Sequence, residues 1–89
     1  MTLYDLLNEL KNTLNNILIS GASFLPSVII NKLTDIKKDL LKFNLIDGVG
    51  LIDNFLTQES GKRGKYYVNL SLWIEVVLFE YENMIIKNT

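Results

Sequence analysis

Few residues in this chain are placed to do chemistry. Lys62, Arg63 and Lys65 put three cations within five residues, beside Gly61 and Gly64 and just before Tyr66 and Tyr67. Glycines let backbone amides approach an anion, and aromatic rings stack on bases. These cations are therefore the candidate anion contact. They do not form a phosphate-binding P-loop, because its glycine-to-glycine-lysine spacing and preceding strand are missing. A short basic loop on a chain of net charge −1 would give only a weak, salt-sensitive grip on nucleic acid. The simpler reading is a solvated loop, and nucleic-acid binding is expected to be absent or weak.

The acidic residues carry less. Gly48-Val49-Gly50 between Asp47 and Asp53 lacks the regular oxygen spacing of a calcium loop, so Asp47 is expected to cap a helix. Glu75 and Glu82 are seven apart on one face of a helix, while Glu80 points elsewhere. No nucleophile or oxyanion site accompanies them. The chain has no histidine and no cysteine. That removes the commonest general base, the commonest transition-metal ligand, thiol catalysis and disulfides. No cofactor, metal site or enzymatic activity is expected.

The elements that must position these side chains are legible in the apolar pattern. Four stretches repeat apolar residues at spacings of four and three, the period of a helix with one buried stripe. The spacing predicts an all-α fold, a small up-down four-helix bundle with helices over about 3–20, 26–44, 47–58 and 68–87. At 89 residues and 48% hydrophobic, it is expected to be a single domain with a thin stability margin. Thr2 is placed to cap the first helix, whose stripe is Leu3, Leu7, Leu10, Leu14 and Ile17, widened by Leu6 and Leu18. Gly21 is the expected stop. Phe24 and Leu25 are too apolar for a free connection and are expected to plug one end of the bundle. Pro26 suits the first turn of the second helix, whose stripe is Ile29, Leu33, Ile36, Leu40 and Phe43. That helix is mildly basic, with four lysines against two aspartates between Lys32 and Lys42. Val49, Ile52 and Leu56 give the third stripe, with Leu51 and Phe55 beside it. Residues 59–65 read as a polar, mobile loop.

The last helix differs from the others. Its expected core stripe is Leu70, Ile74, Val77, Tyr81 and Met84, yet Leu72, Trp73, Val76, Leu78, Phe79, Ile85 and Ile86 place apolar groups on nearly every other side. A helix apolar all round is central to its fold or covered by another chain. Trp and Tyr anchor many binding surfaces, so the expected partner interface is Leu72, Trp73, Val76, Phe79 and Ile86. The leading functional reading is a non-enzymatic interaction module or accessory subunit, docking on a larger protein or on itself as a homodimer. The alternatives are a weakly nucleic-acid-associated protein using residues 61–65, or a small phage- or mobile-element-encoded inhibitor. No signal peptide is expected, because Met1-Thr2-Leu3-Tyr4-Asp5 offers no basic region before an apolar stretch, and no membrane span, because the most apolar region is broken by Asn69, Ser71, Glu75 and Glu80. The expected location is the cytoplasm.

Overall fold

The computed structural model describes residues 2–20, 25–58 and 60–87. Four α-helices account for nearly all of them: α1 Leu3–Ser20, α2 Ser27–Lys42, α3 Ile46–Thr57 and α4 Arg63–Lys87, with one 3₁₀ turn at Ser60–Lys62 ahead of α4. The helices form a ring in chain order. α1 packs on α2 and α4, and α3 packs on α2 and α4. The up-down order follows from paired points along the interfaces. Tyr4 stacks on Tyr81, with ring centroids 5.9 Å apart. Lys11 pairs with Glu75 at 3.2 Å, and the Tyr67 hydroxyl donates to the Leu14 carbonyl at 2.8 Å. As α1 advances, its partner positions on α4 run backwards, so the two are antiparallel. Gly48 against Trp73 and Phe55 against Tyr67 show the same reversal between α3 and α4.

The core is the apolar seam of all four helices. Leu6, Leu7, Leu10, Leu14 and Ile17 come from α1, and Leu33, Ile36 and Leu40 from α2. Ile52 and Phe55 come from α3, and Leu70, Ile74 and Leu78 from α4. Thr13 is the one buried polar side chain among the described residues. Its hydroxyl donates to the Glu9 carbonyl at 2.8 Å, which removes the cost of burying it. Leu25 closes one end as expected, while Gly21 and Phe24 lie outside the described residues.

Local chemistry explains most of the boundaries. The Thr2 side-chain oxygen accepts from the Asp5 amide at 3.1 Å, so Thr2 is the N-cap of α1. Pro26 sits just outside α2 as its cap residue rather than in its first turn. At the other end of α2, Asn44 takes a left-handed φ of 62°. The Leu45 amide then reaches the Leu40 carbonyl and the Asn44 amide the Leu41 carbonyl, each at 3.0 Å. This is a Schellman stop built on asparagine. It ends α2 at Lys42, two residues short of the expected 44. Phe43 is left exposed, although it was expected in the stripe. α3 therefore starts at Ile46 with Leu45 at its cap position, and Asp47 lies inside the first turn without capping by its side chain.

The largest departure is at α4. Of the expected mobile loop over 59–65, residues 60–62 form a 3₁₀ turn and helix follows directly from Arg63, while Glu59 lies outside the described residues. The cause is tertiary. Tyr66 and Tyr67 pack on the core, and the Tyr67 ring lies 6.3 Å from Phe55. Those contacts hold about one and a half extra turns that Gly64 and the cations do not favour by themselves. The seam of α4 also runs differently from the expected one. Leu78 is buried, Val77 is half-buried and Met84 is exposed; on α1, Leu18, expected to widen the stripe, is exposed as well.

Candidate functional site

At 25 residues α4 is about 37 Å long and follows the 44 Å long axis of the molecule. Its inward side carries Leu70, Ile74 and Leu78. Val68, Leu72, Val76 and Phe79 stand on the far side, 52%, 61%, 55% and 65% exposed. At about 100° per residue these four fall within roughly 80° of arc, nearly opposite the buried seam. α1 and α3 flank α4 on its core side, so the outer stripe is unobstructed. Three of the expected interface residues, Leu72, Val76 and Phe79, thus share one open face. Ile86 lies outside the described side chains.

Trp73 is not part of that face. Its ring covers the backbone of Gly48 so closely that a Cβ on Gly48 would sit 2.8 Å from both Cζ2 and Cζ3 of the indole. Glycine at position 48 lets α3 approach α4 here, and the indole fills the gap. Trp73 is half-buried and packs at the core periphery, so it does not stand on the open face with Leu72, Val76 and Phe79.

Beside Trp73 the α2–α3 corner leaves a cleft of about 400 Å³ lined by Asn44, Leu45, Ile46, Asp47, Trp73, Val76, Val77 and Glu80. Val76 belongs to both the cleft and the outer stripe. Exposed Ile46 carries the apolar surface from α4 onto the corner. Val68 and Ile46 were not expected at the interface. The four-residue step from Val68 to Leu72 lies within the expected helix and points to the first. Ile46 depends on the corner's geometry, which no local pattern encodes.

The candidate charged groups are dispersed. Lys62 and Lys65 are exposed, whereas Arg63 is half-buried. Lys62 belongs to the 3₁₀ turn and the other two to the first turn of α4. The expected glycine-flanked loop that would bring three cations around one anion is absent. Of the glutamates, Glu75 is engaged by Lys11, and Glu80 lies at the mouth of the cleft with Asp47. Among the described residues no group of three or more acidic side chains could hold a metal ion, and no helix is long and apolar enough to cross a membrane. Comparison with known proteins found no matching family, no matching curated protein and no matching solved structure.

Proposed function

We propose that this chain is a non-catalytic docking module whose working surface is the outer face of α4, with Leu72, Val76 and Phe79 at its centre and Val68 and Ile46 at its margins. The observation that carries the reading is the stripe itself: four large apolar side chains, each more than half exposed, aligned on the side of the helix that the bundle does not use. Scattered apolar side chains are ordinary on a protein surface, whereas an aligned apolar patch marks a contact site. The absence of histidine and cysteine from the sequence supports a role without catalysis.

The test is site-specific photocrosslinking in the native host. A photoreactive amino acid at position 72 or 79 is expected to give a discrete adduct, whose mass tells self from another chain. The same group at Asn12 or Asn15, exposed on α1, is expected to give none. Equal, diffuse labelling at all four positions would reject the reading.

A further inference from the structure

Resting on that docking face, we infer that its occupant is the same face of a second copy, with the two α4 helices antiparallel about a two-fold axis level with Trp73 and Ile74. The spacing of the stripe is nearly its own reverse: the steps from Val68 to Leu72, Val76 and Phe79 are four, four and three. Turning the helix end for end lays Val68 over Phe79 and Leu72 over Val76, to within about half a residue or ~0.8 Å of helix rise. A smaller side chain meets a larger one at each level, which keeps the separation of the helices even.

The charges favour this orientation. A two-fold axis perpendicular to the helices keeps each edge of the stripe against the same edge of the other copy. On the side facing the α2–α3 corner, where Lys65 extends the stripe at its N-terminal end and Glu80 borders it, Lys65 of one copy comes within two or three residues of the level of Glu80 of the other, about 4 Å along the axis. A lysine side chain spans that offset, and symmetry makes the contact twice. Neither residue is used inside the chain: among the described residues the ion pairs are Lys11–Glu75, Lys32–Glu9, Lys37–Asp53 and Lys42–Asp39. On the opposite edge Glu75 approaches its own symmetry mate, and Lys11, bound to it at 3.2 Å, supplies the compensating charge. A parallel pairing would leave Lys65 with no acidic residue at its level. With a net charge of −1 per chain, two copies repel each other little.

The experiment measures self-association of the full chain by sedimentation equilibrium, with melting followed as a control on folding. Lys65→Glu and Glu80→Lys each replace two attractions with two repulsions, and each is expected to raise the dimer Kd about tenfold. The double swap restores opposite charges and is expected to return Kd to within about threefold of the parent. Leu72→Gln with Phe79→Gln is expected to abolish association while the fold is kept. Because the chain has no cysteine, register can be read a second way. An equimolar mixture of Val68→Cys and Phe79→Cys chains is expected to form the mixed disulfide under mild oxidation, with little of either self-linked product. A monomer at every concentration overturns the self-pairing. So does a double swap weaker than both single swaps, or Val68→Cys linking preferentially to itself. A monomeric chain that still gives a discrete adduct to another protein from position 72 or 79 overturns self-pairing but leaves the docking face standing. If the Leu72→Gln, Phe79→Gln chain unfolds, the docking face itself is rejected.

Discussion

Gly48 and Gly50 are two residues apart and look alike in the sequence, yet they do opposite things. Nothing lies within 4 Å of where a Cβ on Gly50 would be, whereas on Gly48 it would enter the Trp73 ring. Gly50→Ala is therefore expected to stabilise by about 0.4–1 kcal/mol, since alanine restricts the unfolded chain and favours helix. Gly48→Ala is expected to cost about 1–3 kcal/mol through overpacking, and to cost clearly less in a Trp73→Leu background, where the two sites no longer collide. Denaturant melts of the four variants decide it; equal effects at both glycines would mean that Trp73 does not rest on α3. The sequence does not distinguish the two glycines, because the close contact depends on the register between α3 and α4. Asn44 is a second residue whose role is set by backbone shape. Its left-handed φ is tolerated by asparagine and favoured by glycine. Asn44→Gly is expected to keep or raise the melting temperature, and Asn44→Val to lower stability by about 1–2 kcal/mol.

Among the elements, α4 separates what the pattern dictates from what packing decides. Its helicity was legible, as were its apolar excess and the outward position of Leu72, Val76 and Phe79. Its inner seam was not. On a helix apolar nearly all round, the series through Val77 and Met84 and the series through Leu78 both satisfy the helical period, and only the neighbouring helices select between them. Its start was also hidden. Arg63, Gly64 and Lys65 have loop-like character, and the turns they occupy are held from outside by Tyr66 and Tyr67. In α1 and α2, where each helix has one clear stripe, the buried positions Leu10, Leu14, Leu33, Ile36 and Leu40 follow the pattern directly, whereas in α3 only Ile52 does: Phe55, expected beside the stripe, is fully buried, and Val49 and Leu56 are half-buried. The assignment of faces on α4 is tested by two leucines. Leu78→Ala, at a buried site, is expected to cost about 2–5 kcal/mol. Leu72→Ala, on the outer face, is expected to change the stability of dilute protein by no more than about 0.5 kcal/mol. Comparable losses at the two positions would mean that α4 is rotated from the orientation described.

At the scale of the whole molecule, 89 residues set a narrow margin of about 5–10 kcal/mol. Truncating one core side chain such as Leu14, Leu40 or Ile74 to alanine is expected to remove about 2–5 kcal/mol of it. A molecule with that little in reserve gains noticeably from association, and the gain depends on concentration. If α4 faces pair, the native state is stabilised by mass action while the unfolded chain is not. Once the protein is mostly dimeric, each tenfold rise in concentration adds about 0.7 kcal/mol per chain, half of RT ln 10. For a domain of this size that corresponds to a melting temperature higher by about 3–5 °C. The parent chain is therefore expected to melt higher as it is concentrated from micromolar to millimolar. The Leu72→Gln, Phe79→Gln chain is expected to melt at one temperature throughout, close to that of the parent at its most dilute, because both side chains lie outside the core. The two curves together separate the contributions to stability. A sloped parent and a flat variant place the extra stability in the α4 face. A flat parent would mean that four helices and their shared core supply all the stability there is, and that the outer stripe is kept for a different chain.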